Sequence, residues 1–312
     1  MMLGGFWAFI TGGGWGLDKA PSAKTPAAFT IPAGTCDAHV HVIGEPDRFP
    51  MSSEREYTPP PVTADELRKQ MQFLNIDRVV IITPEVYSIN NSATLAAIEH
   101  IGQDRARGVA WVAKDTPSET LSSMRSRGIA GIRISLLPGI MSSPASSSKY
   151  LEDNFDLAMK YDWHIEIATP PEVIASVLPK LSDSPVPLVI DTFGWVQGGV
   201  EESGFDAVLS LVKSGRAYVK LSEPYRLSKT KPDYPDLAPV VKALVTANAD
   251  RVLWGSGWPF VSGPQPGRKK EEIIPDLPMD AGHLLNLFAA WVPDAQLRQK
   301  ILVDNPAKLY RF

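Results

Sequence analysis

From residue 35 onward, short runs rich in Val, Ile and other strand formers alternate with amphipathic stretches long enough to be helices. No other feature constrains the chain as strongly. Strand–helix–strand order marks a parallel sheet, because parallel neighbours need a crossover between them. The strand-like runs fall at 35–42, 78–83, 108–113, 131–135, 163–168, 187–192, 217–222 and 251–256. Eight such units predict an α/β fold closed into a (β/α)8 TIM barrel, with its chemistry at the C-terminal ends of the strands. Helices are predicted at 63–74, 91–105, 117–126, 149–160, 171–181, 205–213 and 237–247, then from Asp280 to Trp291, with a terminal helix from Asp294. Thr63-Ala64-Asp65-Glu66 has the spacing of a capping box, which fixes where the first helix starts.

Residues 31–312 are read as a single barrel domain and 1–30 as an N-terminal extension. The stretch from Met1 to Leu17 is apolar but glycine-interrupted and too short to cross a bilayer. No Lys or Arg precedes Lys19, so the basic start of an export signal is missing. An extension that packs on the barrel or stays unstructured is the reading, with a degenerate export signal as its alternative; the expected location is cytoplasmic. A net charge of -4 leaves no basic footprint for nucleic acid or an anionic membrane. Cys36 is the single cysteine, which excludes an internal disulfide and a cysteine-based zinc site.

Two connections after strands are long and rich in Pro, Gly and Ser, at 44–61 and 260–278, and 136–148 is a third. Their position makes them walls or lids of a pocket rather than linkers. Strict alternation places Asp37, His39 and His41 on one face of the first strand. Two imidazoles at a barrel strand's C-terminal end can share a metal or polarise a substrate oxygen. Buried histidines satisfied by hydrogen bonds are the alternative. Arg133, Lys220 and Arg226 fall at or beyond strand ends and favour an anionic or carbonyl-rich ligand. For Arg226, pairing with a loop acid such as Glu223 is the competing reading. His100, His164 and His283 are placed outside the site. No Gly-x-Ser-x-Gly elbow is present, and Gly12-Gly13-Gly14-Trp15-Gly16 lacks the Lys-Ser/Thr of a phosphate loop.

Asp37-Ala38-His39-Val40-His41 at the first strand resembles the amidohydrolase superfamily. Further matches follow in order: Tyr57, Asn75-Ile76-Asp77-Arg78, Gly131-Ile132-Arg133, Val189-Ile190-Asp191, Trp254-Gly255, Trp258-Pro259 and Asn305-Pro306-Ala307-Lys308. Together they resemble the branch that holds 2-pyrone-4,6-dicarboxylate lactonase, 4-sulfomuconolactone hydrolase and galactarolactone isomerase. The resemblance runs from about Pro32 to the end of the chain. It implies that Arg133, Arg226 and Tyr57 position the substrate; Lys220, Thr192, Ser256 and Trp258 are the further candidates to line its site, with a core position as the alternative for Trp258.

Two positions depart from the branch. Thr192 stands where the branch has a histidine, and Gly257 where it has an aspartate that serves as base and metal ligand. With His39 and His41 left of the usual set, no resident cofactor is expected, and a weakly held divalent ion such as zinc is the alternative. A base must then come from elsewhere. If Ala168 ends strand five facing inward, Glu166 lies one layer deeper, where burial would raise its pKa toward acid–base use. Its alternatives are a carboxylate tied to Lys220 or Arg133, or one turned outward. Asp191 is either a base or a structural partner of His39 or His41. The expected function is therefore hydrolysis of a small, anionic cyclic ester, with His39 and His41 polarising the carbonyl and Glu166 or Asp191 moving protons. Non-hydrolytic isomerase, lyase or cyclase chemistry and a catalytically silent binding protein are the rivals. The partner in each case is a small molecule, and the oligomeric state is left open.

Overall fold

The computed structural model describes residues 23–136 and 144–312, with only the backbone described for 144–147. Met1 to Leu17 and most of the connection after the fourth strand therefore lie outside the described residues.

Eight parallel strands follow one another in sequence order around a single sheet. They are β1 (Cys36–Val40), β2 (Arg78–Ile82), β3 (Ala106–Ala110), β4 (Ile129–Ser135), β5 (His164–Ala168), β6 (Leu188–Ile190), β7 (Ala217–Ser222) and β8 (Val252–Gly255). The last strand returns to the first through a parallel bridge between Val40 and Trp258. Two backbone hydrogen bonds seal that seam, His41 N–H to Trp258 O at 2.8 Å and Gly257 N–H to His39 O at 2.9 Å. The result is a (β/α)8 barrel.

Helices α1 (Ala64–Leu74), α2 (Ser92–Ile101), α3 (Ser118–Ser126) and α4 (Pro144–Tyr161) fill the first crossovers. Thr63 caps α1 as its sequence requires: its side chain accepts from Glu66 N–H, and the Glu66 carboxylate accepts from Thr63 N–H at 2.7 Å. The fifth crossover differs from the single helix predicted there. It splits at Val177 into α5 (Pro171–Ser176) and α6 (Leu178–Ser182), because Pro179 lacks an N–H and restricts the residue before it. β3 begins two residues earlier than its apolar run. α7 (Phe205–Lys213), α8 (Pro224–Leu227), α9 (Ala238–Asn248), α10 (Ala281–Trp291), α11 (Ala295–Gln299) and α12 (Asn305–Tyr310) follow in order.

β1 carries the departure that shapes the site. Asp37 pairs with Val79 but Val40 pairs with Ile81, so β1 holds one residue more than its partner over that interval. Such a bulge breaks the period-two alternation. Ala38 packs with Val80 and Ile82, whereas Val40 joins the cluster that contains Val79 and Ile81. The expectation that Asp37 shares a face with both histidines is thereby corrected. His39 turns into the barrel, and Asp37 sits in the β1–β8 seam, where its Oδ1 accepts Ser256 N–H at 2.9 Å and His39 N–H at 3.1 Å.

The two long connections meet over the barrel's mouth. A bridge joins Thr58 to Ile273, and Ile274 N–H reaches Thr58 O at 2.8 Å. Residues 44–61 and 260–278 thus form one continuous wall.

Gly255 tests the seam. A Cβ there would lie 2.5 Å from His39 Cβ and 2.8 Å from His39 N, inside van der Waals contact with β1. Overpacking of this kind costs about 1–3 kcal/mol. Gly255→Ala is expected to lower the urea midpoint accordingly; an unchanged midpoint would mean the strands do not approach as closely as described.

Candidate active site

Register brings the charged residues together. β4 and β5 pair with Arg133 opposite Glu166, and both enter the barrel. One guanidinium nitrogen of Arg133 binds Glu166 Oε1, and the other binds Asp191 Oδ2 at 2.7 Å. From β7, Lys220 Nζ donates to Glu166 Oε2. Asp191 follows β6, and its Oδ1 lies 3.0 Å from His39 Nδ1 while accepting Thr192 N–H at 2.9 Å. A continuous chain of ions, Lys220–Glu166–Arg133–Asp191, therefore ends on the His39 ring. Glu166, Asp191, Lys220 and His39 are all fully buried.

On the far side of the ring, Glu223 Oε2 lies 3.9 Å from His39 Nε2. Sequence reasoning named Glu223 only as a partner for Arg226. The structure makes it that partner, with Arg226 Nε donating to Oε1 at 2.7 Å, and also places its carboxylate beside His39. Tyr225 O–H donates to the same Oε1 at 2.9 Å, and Thr192 O–H approaches Oε2 at 3.4 Å. The signal for this was available: an i,i+3 acid–base pair directly after β7.

The electrostatics follow from these contacts. Burial penalises every one of the charges, yet Asp191 stays well below the usual carboxylate range because His39 and Arg133 outweigh that penalty. Glu166 was expected to rise. It is lowered instead, since Lys220 and Arg133 overcome the desolvation that pushes it up. Both of its oxygens are taken. Glu223 is also penalised by burial but falls to about 2, held down by Arg226 and His39. Its contribution to stability is thus complete above the ordinary value of 4.5 and is lost as pH falls toward about 2. His41 is driven the other way, to about 3, by burial and the nearby His39. Its Nδ1 lies 2.8 Å from Ile82 O. A neutral ring beside a carbonyl carries its proton on Nδ1, which leaves Nε2 an acceptor. In that state His41 cannot polarise a carbonyl by donation.

The remaining sequence candidates spread over several depths. Arg226 reaches the mouth with its side chain one-fifth exposed and its NH2 bonded to Val261 O at 2.8 Å. Tyr57 is half-buried on the wall within electrostatic reach of Arg226, and burial holds its phenol protonated. Thr192 sits between Asp191 and Glu223. Ser256 is buried in the seam, its Oγ accepting Trp258 N–H at 3.0 Å, and Trp258 is buried beside it. Lys220 lies below the others, behind Glu166. Of the histidines placed outside the site, His164 is buried at the opposite end of the barrel, near a cavity of about 210 Å³ lined by Arg107, Arg125 and Tyr310.

His39, Asp191 and Glu223 bring one ligand atom each within 4.8 Å of one another, a donor set of the kind that holds divalent ions. The set does not suit a resident ion in this arrangement. The two carboxylates lie against opposite nitrogens of the ring, and each is already neutralised by an arginine. A divalent cation would add two positive charges to a balanced, buried cluster.

A profile of the amidohydrolase family matches residues 36–312. The chain is 32% identical over 295 residues to a 4-sulfomuconolactone hydrolase from Rhizobium radiobacter, covering 94% of this chain and 95% of the relative. It is 30% identical over 312 residues to a 2-pyrone-4,6-dicarboxylate hydrolase from Comamonas testosteroni, covering 95% and 96%. A solved structure from Agrobacterium tumefaciens superposes with a TM-score of 0.78 at 24% identity, over 93% of this chain and 98% of that one. The fold and the placing of its polar groups define a barrel hydrolase. The chain belongs to the amidohydrolase family. Among the described residues, no helix is long and apolar enough to cross a membrane.

Two outcomes check this cluster. Lys220→Met strips one cation from a buried carboxylate and is expected to cost about 3–5 kcal/mol in urea unfolding. Adding Glu166→Gln should recover part of that loss, and a Lys220→Met protein as stable as the parent would contradict the ion chain. For the metal, the purified protein should carry far less than one equivalent of zinc and unfold at the same temperature after dialysis against a chelator. Tightly held stoichiometric zinc would overturn the charge argument.

Proposed function

We propose that this chain hydrolyses a small cyclic ester, adding water at a lactone carbonyl and opening the ring. The observation that carries this reading is the 3.0 Å approach of Asp191 Oδ1 to His39 Nδ1, with Asp191 fixed from behind by Arg133. An ionised carboxylate at Nδ1 holds the proton there and leaves the Nε2 lone pair free. That is the state a general base needs. Lactone hydrolysis is also the activity named for two relatives that span nearly the whole chain.

The steps follow from the residues in place. His39 Nε2 takes a proton from water as the water oxygen bonds to the lactone carbonyl carbon. The carbonyl π pair moves onto oxygen, next to the mouth-side cation Arg226 and the protonated phenol of Tyr57. Collapse of the tetrahedral intermediate breaks the ring C–O bond, and the proton on His39 Nε2 passes to the departing alkoxide. Asp191 stays ionised throughout and steadies the imidazolium. Glu166 and Lys220 hold Arg133, and through it Asp191, without touching substrate.

The substrate's charge is narrower than the residue count suggests. Arg133 and Lys220 are consumed by internal acids, so Arg226 is the cation of this cluster that reaches the mouth. An anionic group beside the lactone would meet Arg226 there.

The test is ring opening of 4-sulfomuconolactone and 2-pyrone-4,6-dicarboxylate, followed by proton release and product mass. Hydrolysis of 2-pyrone-4,6-dicarboxylate gives a product heavier by one water. Opening of 4-sulfomuconolactone leaves a hydroxyl on the carbon that bears the sulfonate, which expels sulfite, so sulfite release is its readout. A product of unchanged mass would establish isomerisation instead, and binding without turnover would establish a silent barrel. In the active case His39→Gln should lower kcat by about 10³-fold or more, within the range for loss of a general base. A His39→Gln enzyme of near-parental kcat would remove His39 from the mechanism.

A further inference from the structure

We propose that Glu223 is a catalytic residue: its Oε2, with His39 Nε2, grips the two hydrogens of the attacking water. This rests on the hydrolytic reading above and adds the group that holds the nucleophile.

Three independent features lead to it. The first is an unmatched pair of acceptors. In the neutral state that the hydrolytic reading requires of the free base, His39 carries its proton on Nδ1 and presents a lone pair at Nε2, and the carboxylate of Glu223 presents another at Oε2, 3.9 Å away. The separation is too long for a direct hydrogen bond. Among the described residues neither ring nitrogen of His39 meets hydrogen-bond geometry, and at Nε2 no donor or acceptor lies nearer than Glu223. Two buried acceptors facing each other are satisfied by one molecule with two donor hydrogens, and water is that molecule. An oxygen about 2.8 Å from each atom is compatible with the gap.

The second feature is the division of labour within the carboxylate. Oε1 is fully occupied by Arg226 Nε at 2.7 Å and Tyr225 O–H at 2.9 Å. These contacts fix the orientation of the group and keep it ionised. Among the described residues, Oε2 has only the long approach of Thr192 O–H at 3.4 Å. One oxygen is anchored, and the other faces the histidine. The backbone that delivers it is unusual as well: Glu223 has φ 54° and ψ 46°, a left-handed conformation that a glutamate adopts at some cost.

The third feature is the room Glu223 occupies. Gly257 has φ 79°, and a Cβ built there would lie 2.4 Å from Glu223 Cγ and 2.7 Å from the Tyr225 oxygen. A side chain at 257 and the glutamate at 223 cannot share this space. A carboxylate carried from β8 by residue 257 would enter the same volume from the other side. Gly257, read from sequence as a lost base, is therefore the vacancy that lets β7 supply one.

In the reaction, one water proton goes to His39 Nε2 while the other O–H stays bonded to Glu223 Oε2. The water oxygen adds to the carbonyl carbon, and the His39 proton returns to the ring oxygen as its C–O bond breaks. Glu223 gains and loses no proton over the cycle, consistent with a group held ionised.

Two measurements test the assignment together. A high-resolution crystal structure of the unaltered protein should show a water oxygen within about 3.2 Å of both Glu223 Oε2 and His39 Nε2. A direct carboxylate–imidazole bond, or another side chain in the gap, overturns the proposal whether or not a lactone is turned over. On 4-sulfomuconolactone, Glu223→Gln should lower kcat by about 10²-fold or more with little change in KM. Glu223→Ala should be at least as impaired, and Glu223→Ala/Gly257→Asp should regain about tenfold over it, because the second change returns a carboxylate to the same volume. A purely structural glutamate would not be rescued in this way. Parental kcat in Glu223→Gln refutes the role, and so does a double variant no better than Glu223→Ala despite folding normally. If the unaltered protein opens no lactone, the hydrolytic reading falls by itself and the crystal structure decides the fate of the water site.

Discussion

The site depends on one ionic contact, the fork of Arg133 between Glu166 and Asp191. Burying these charges is expensive, and hydrophobic residues of equal volume would often be no less stable. What the arrangement supplies is position. A guanidinium is rigid and planar, so fixing Arg133 through Glu166 also fixes where its second arm points. That arm holds Asp191 in the one place where its other oxygen meets His39. Lys220 balances the remaining charge on Glu166 and lets the whole chain of ions lie in a dry interior. The barrel thus spends the depth of its core on orienting a single imidazole at its mouth.

Around that contact, backbone irregularity places the working atoms. The extra residue in β1 turns His39 inward while Asp37 ties the strand to Ser256 across the seam. After β6 the chain runs through Thr192, Phe193, Gly194 and Trp195 with positive φ, bending sharply just beyond Asp191. After β7 Glu223 takes a left-handed conformation of its own. Three strand ends that would otherwise point up and away are bent over one small volume. Strain collects where the chemistry is proposed, and regular strands below it carry the load.

The fold was almost wholly legible in the sequence. Alternating β-branched and amphipathic runs report the barrel directly, since each strand is buried on both faces and each helix on one. Boundaries moved where a single residue overrode the pattern, as Pro179 did in the fifth crossover. The site was legible in part. His39, Arg133, Glu166 and Asp191 could be picked out by residue type at strand ends, and the pairings of Glu166 with Lys220 and Arg133 were among the alternatives. Their joint arrangement was not, because register between non-adjacent strands decides who meets whom. The β1 bulge leaves no mark on an alternation of buried residues. Glu223 was hidden for a related reason: its reach toward His39 depends on a positive φ and on the missing side chain of Gly257, 34 residues further along.

The central claim is that Asp191, held by Arg133, sets the proton on His39 and so makes Nε2 a base. The measurement that tests it most directly is kcat for Asp191→Asn on the lactone that the parent opens, with urea unfolding measured on the same protein. An amide at this position can keep the shape but donates toward Nδ1 and favours the opposite tautomer. The account predicts a fall in kcat of about 10³–10⁴-fold in a protein that still folds cooperatively. An Asp191→Asn enzyme that turns over within a few-fold of the parent would contradict it.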